Sequence, residues 1–222
     1  MNFFEPPPPP EPEEPFSQPV WLGPPDNEAG TAVPLNLLLA RTDDVAVALL
    51  CATAFSTGFE LAGTVHTREQ LDTLHEAFVM HHRPRRSGEL KPEFFRFGLE
   101  FADGRKATNL GYPFNRDQAD ADPSQPVLVP RGGGGGGNSW QMNWWVWPLP
   151  PPGPLAVVCE WPAQGISLTR HEIGAGTLLD AAAQVEQLWH NGKACRGSGA
   201  SVQIFAHRDT GRDQPQPPDP AT

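Results

Sequence analysis

Two carboxylates, Glu100 and Glu160, are the residues of this chain best placed to do chemistry. Each lies in a run of alternating apolar residues, Glu93–Phe101 and Leu155–Trp161, so each would stand on a strand with its apolar neighbours pointing away. On adjacent strands they could share a face and act as a general acid and base, or hold a cation. The same pattern also fits two solvent-facing acids, the common fate of isolated sheet carboxylates. Asp103, Asp117, Asp120 and Asp122 could add oxygen ligands, but the chain has no Asp-x-Asp-x-Asp-Gly loop. His171-Glu172 begins a zinc-helix pattern that Ala175 ends, because a second histidine is needed there. Ser139, Ser167 and Ser201 sit in no Gly-x-Ser-x-Gly elbow. No metal site and no cofactor is expected.

Binding residues form a second group. Gly132–Gly137 could cradle an anion with backbone N–H groups, with Arg131 adding charge. A phosphate loop, however, needs a following Lys and a helix, and this run leads into Ser139–Trp147, so it reads as a flexible linker. Arg83, Arg85 and Arg86, beside His81-His82, are the densest positive cluster. They could meet a phosphate or an acidic segment, or form a solvated helix end. Period two along Ser139–Trp147 puts Trp140, Met142, Trp144 and Val146 on one face and Trp145 and Trp147 on the other, with Gln141 and Asn143. The first face is expected to be core. The second is either covered by a helix or an aromatic platform of the kind that binds sugars or proline-rich peptides, the chain's own proline-rich arm included.

The elements that must position these residues follow from periodicity. Leu35–Ala40, Val45–Thr53 and Phe59–Val65 read as strands, the last two as a hairpin. Thr67-Arg-Glu-Gln70 is a capping box, which predicts a helix along Leu71, Leu74 and Phe78 that Pro84 ends. Glu93–Phe101 turns at Asp103-Gly104 into a return strand at Arg105–Leu110. Residues 111–138 read as a long loop. Ser139–Trp147 and Leu155–Trp161 are strands, and a helix beginning between Thr169 and Thr177 uses Ile173, Leu178, Ala182, Val185, Leu188 and Trp189. This order predicts an α+β fold: a mainly antiparallel sheet or sandwich with two helices packed on one face or end.

The 222 residues suffice for one domain. Prolines at 6–10 and in Gln214–Pro220 predict disordered proline-rich termini. The expected division is a proline-rich acidic arm at 1–32, a single α+β domain at 33–207 with a flexible loop at 111–138, and a disordered tail at 208–222. Of the net charge of −10, residues 1–28 carry −6, with six acids and no base. The rest is near balance, which argues against nucleic acid as a partner. The N-terminal sequence has neither a basic nor an apolar leader region, and no run of 18 apolar residues exists. With three widely spaced cysteines, Cys51, Cys159 and Cys195, a cytoplasmic, non-membrane protein is expected.

Ala46–Thr64, Trp145-Val-Trp-Pro-Leu-Pro-Pro-Pro-Gly-Pro154 and Cys159-Glu-Trp-Pro-Ala-Gln-Gly-Ile166 together carry a resemblance. The chain resembles a family of uncharacterised cytoplasmic proteins of GC-rich Gram-positive (actinobacterial) bacteria. That resemblance implies a discrete, recurring domain over most of 33–190 and transfers no catalytic residue. The first expectation for function is therefore a non-enzymatic interaction or accessory domain that contacts another protein or its own arm. The alternatives are a carboxylate-based or cation-dependent hydrolase built on Glu100 and Glu160, and a small-ligand binder with a glycine-rich lid.

Overall fold

Apolar residues at period two run through most of the chain, and the backbone follows them into strands. The computed structural model describes residues 19–69, 78, 90–110 and 125–189. Among these the strands are β1 (Glu28–Ala29), β2 (Thr31–Arg41), β3 (Val45–Ala54), β4 (Phe59–Thr67), β5 (Arg96–Glu100), β6 (Lys106–Thr108), β7 (Val127–Gly136), β8 (Ser139–Trp147), β9 (Pro154–Trp161), β10 (Ile166–Gly174) and β11 (Glu186–Gln187). Helix α1 spans Ala175–Ala182. A five-stranded sheet has the order β2-β3-β4-β8-β7, a four-stranded sheet the order β10-β9-β5-β6, and β1 pairs with β11. The pairings are antiparallel.

The two larger sheets pack face to face, because each has one apolar side that only the other can cover. Val47, Leu49, Phe59, Leu61, Trp144 and Val146 from one sheet share a core with Phe97, Leu99, Leu155, Val157 and Trp161 from the other. Phe97 stacks on Trp144 across this layer with ring centroids 4.2 Å apart. Leu178 and Ala181 bring α1 onto the same core, against β2 and β3. Along one margin His171 Nε2 lies 2.8 Å from the Leu39 carbonyl oxygen, tying β10 to β2.

The fold is mainly β, and this corrects the α+β expectation with two helices: 57% of the described residues are in strands, with α1 the one helix among them. Ile166–Gly174 is one of the strands that periodicity missed. A register shift between Ile166 and Thr169 breaks its alternation and leaves Leu168 exposed, so it lacks a continuous apolar side. The helix read across Ile173–Trp189 contracts to Ala175–Ala182, since the chain then straightens to lay Glu186 and Gln187 against β1. The expected cap at Thr67 runs to Gln70, which lies outside the described residues. Thr67 ends β4, and its hydroxyl donates to the Glu69 carbonyl at 2.7 Å. The helix expected after it falls on 70–77 and 79–89, outside the described residues. Phe78 itself has helical backbone and packs its ring among Phe95, Trp140 and Trp161.

The glycine run also departs from expectation. Residues 127–136, read within a flexible loop, form β7 along the full length of the tryptophan strand, from Val127 opposite Trp147 to Gly136 opposite Ser139. Gly137 and Asn138 close the hairpin, and the positive φ of 65° at Gly137 alone fits a II′ turn. The Asn138 carbonyl accepts from the Thr67 backbone N–H at 2.8 Å, which pins the tip to β4. Glycine has no side chain from which to read a strand; here β8 imposes the extended form on it. Residues 111–124, the rest of that expected loop, and the segments 1–18 and 190–222 lie outside the described residues.

Candidate interaction surface

The two candidate catalytic carboxylates share a sheet face without sharing a site. Glu160 stands opposite Arg96 on β5, and Glu100 lies four residues further along that strand. At strand rise this separates them by about 13 Å, beyond the roughly 5–9 Å of paired catalytic carboxylates. Each is already neutralised. Glu160 receives Arg96 Nη1 at 2.5 Å, and Glu100 receives Arg170 Nη1 at 3.1 Å with Lys106 Nζ at 3.6 Å. The Arg170 hydrogen bond, above all, holds the Glu100 carboxyl below the usual range. A general acid needs the opposite shift. This face of the four-stranded sheet is thus a solvated lattice of opposite charges. No grouping of three or more His, Cys, Asp or Glu that could hold a metal ion occurs among the described residues.

For Trp145 and Trp147 the sequence left either a covering helix or an open platform able to take the chain's own arm, and among the described residues no helix covers Trp145. It is 0% exposed, and what covers it is the strap at 19–29, from the segment that the sequence assigned to the proline-rich arm. Trp21, 4% exposed, packs with Phe55, Val127, Val129 and Trp145 in a small second core on the outer side of the five-stranded sheet, and half-buried Trp147 lies against it. Phe55 meets the Trp145 ring edge-on at 5.7 Å. The strap is fastened by Glu28, whose carboxylate accepts from the Ser56 backbone N–H at 2.9 Å and from its hydroxyl at 2.5 Å. The Leu188 backbone N–H donates to the Asn27 carbonyl at 2.7 Å. The Trp145 indole N–H is buried with no acceptor among the described residues.

Arg131, offered as an anion ligand, instead lies 3.6 Å from Glu60 across the sheet. Arg83, Arg85 and Arg86 fall outside the described residues. A cavity of about 280 Å³ beside the hairpin tip is lined by Asp44, Thr67, Glu69 and Gln164, and the glycine strand does not close over it.

Among the described residues, what remains uncovered is the outer side of the five-stranded sheet beyond the Trp145 core, together with its β7 margin. Its rows are small and uncharged: Ala48, Thr64, Gln141 and Gly134 lie in register, as do Ala62, Asn143 and Gly132. Leu38 and Leu50 stand exposed beside them, at 47% and 45%. At the margin, β7 hydrogen-bonds to β8 on one side, and among the described residues no strand takes its other side. Periodicity could not locate this surface, because its defining residues are glycines; the signal available in the sequence was six of them fused directly to an aromatic strand.

No helix among the described residues is long and apolar enough to cross a membrane. Comparison with family models, curated proteins and solved structures finds no match to the chain, so what this surface does is argued from its geometry.

Proposed function

We propose that this chain is a non-enzymatic protein-interaction domain that binds by accepting an added strand at the β7 edge. The observation that carries this is the bareness of that edge. Sheet margins are ordinarily blunted with charges, prolines or bulges, because unpaired N–H and C=O groups recruit other strands. Here a bulge between Pro130 and Gly132 breaks the near end, and from Gly132 to Gly136 there is no charge, no proline and no side chain. Among the described residues no strand pairs with the outer backbone groups of this stretch, and such an edge offers the chemistry of strand addition. The hydrolase alternative loses its support with the separation and neutralisation of Glu100 and Glu160. The lid alternative loses its own with the fixing of the glycine run as a strand. The strap at 19–29 serves as an intramolecular cover for Trp145, so the arm's share in binding rests with residues 1–18.

The test is a selection of displayed peptides on the full chain, followed by backbone amide mapping of the bound peptides by NMR. Binders are expected to shift the Gly133 and Gly135 amides and to give cross-strand contacts along β7. Binders that settle elsewhere, or none at all, would remove the strand-addition reading.

A further inference from the structure

The partner that this edge fits is decided by which of its glycines the fold requires. In a two-residue hairpin the closing pair, here Gly136 and Ser139, exchanges both hydrogen bonds, and bonded and non-bonded pairs then alternate along the ladder. Gly133 and Gly135 therefore direct their N–H and C=O groups away from β8. These two positions also demand glycine. A Cβ on Gly133 would lie 2.5 Å from the Gln141 carbonyl oxygen, and one on Gly135 would collide with the Ser139 carbonyl oxygen. At Gly134 and Gly136 a Cβ would meet nothing within 4 Å, and neither has positive φ. The fold would accept side chains there, and each glycine costs about 0.5–1 kcal/mol relative to alanine. Nothing among the described residues requires their bareness.

Resting on the strand-addition reading, we infer that the added strand is β7 of a second copy of this chain, joined about a two-fold axis at Gly134. With that axis, Gly133 faces the partner's Gly135 and Gly135 faces the partner's Gly133. All four outward-pointing glycines then exchange hydrogen bonds, four in total. Gly134 faces its own counterpart at the closer, non-bonded spacing of about 4.5 Å, where a bare residue suits both copies. A foreign peptide would find no β7 side chains here to recognise its own, whereas the two-fold match needs none. The contact also brings together Gly132–Asn138, a stretch in which neither copy places a charge, although each chain carries −10. The result is one ten-stranded sheet across two molecules, of the isologous kind most common among homo-oligomers.

Sedimentation of the full chain from about 1 µM to about 1 mM tests this, using wild type, Gly134→Lys, Gly134→Glu and an equimolar mixture of the two variants. Wild type is expected to dimerise reversibly. Either variant alone sets like charges against each other across the axis and is expected to weaken the dimer by about fivefold or more, while the mixture recovers it. The circular dichroism of both variants should match wild type, since their new side chains enter open space. A wild type that stays monomeric throughout, or a dimer that neither variant weakens, overturns the second-copy assignment. Amide exchange at Gly133 and Gly135 separates the two failures. If wild type is monomeric and these amides exchange freely, the edge is open and awaits another extended chain. If they are protected in the monomer, the edge is already occupied and the strand-addition reading falls as well.

Discussion

Glycine at 133 and 135 is a steric necessity, while glycine at 134 is not, and alanine substitution should separate the two. Gly135→Ala is expected to cost several kcal/mol in chemical denaturation, at the scale of a forced backbone shift, whereas Gly134→Ala should be neutral or stabilising by up to about 1 kcal/mol. The tryptophans differ in a similar way. Trp161 donates its indole N–H to the Glu93 carbonyl at 2.9 Å, while the buried N–H of Trp145 has no acceptor among the described residues. Replacement by phenylalanine should therefore be milder at Trp145, by about 1–2 kcal/mol, because it removes an unsatisfied donor there and breaks a hydrogen bond at Trp161. Equilibrium unfolding of the two variants measures the difference. For Glu100, whose carboxyl is held below its ordinary value of 4.5 chiefly by Arg170, the ionised form favours the folded state. That contribution is complete above the ordinary carboxylate range and is lost as pH falls through the lowered folded value. In Arg170→Ala, carboxyl NMR titration should find Glu100 moved upward, toward 4.5.

Elements with a clear apolar side were legible in the sequence. The alternation in Phe95, Phe97, Leu99 and Phe101 gave β5, and Asp103-Gly104 gave its turn, where Gly104 has a φ of 84°. Elements defined by pairing alone were not. β7 is specified by β8 rather than by its own residues, β10 by a bulged register with β9, and β11 by two residues that meet β1 about 157 positions earlier in the chain. The strap belongs to the same class. Trp21 follows a proline-rich acidic stretch whose composition signals solvation, yet its indole seals Trp145, and only the assembled sheet offers that seat. Glu28 is the strap's main polar fastening, so Glu28→Ala should cost about 1–3 kcal/mol through the two Ser56 hydrogen bonds. It should also raise the exchange rate of the Ser56 amide and shift Trp21 fluorescence toward longer wavelengths. An unchanged Trp21 emission would mean that its apolar seat alone holds the strap.

Across the whole molecule the two sheet faces have been treated differently. The outer side of the four-stranded sheet is laced with opposite charges, whereas beyond the Trp145 core and the Arg131–Glu60 pair the outer side of the five-stranded sheet carries uncharged residues up to its β7 edge. With −10 on each chain, association through that edge must overcome repulsion between the two bodies. Dimerisation should accordingly strengthen as ionic strength rises from about 0.01 M to about 0.15 M, where the screening length falls from about 30 Å to about 8 Å. Sedimentation across that series checks it, and a dimer that weakens with salt would point to a charged interface elsewhere. The β1–β11 clip carries a further consequence, a mechanical one. Its register sets Glu28 against Gln187 and Ala29 against Glu186, so the flanking segments leave side by side from the same end. Tension applied through those segments would load the clip's hydrogen bonds one after another, as in peeling tape, instead of all at once in shear. The clip thus resists such tension little, and the cover over Trp145 is left to the Trp21 seat and the Glu28–Ser56 hydrogen bonds.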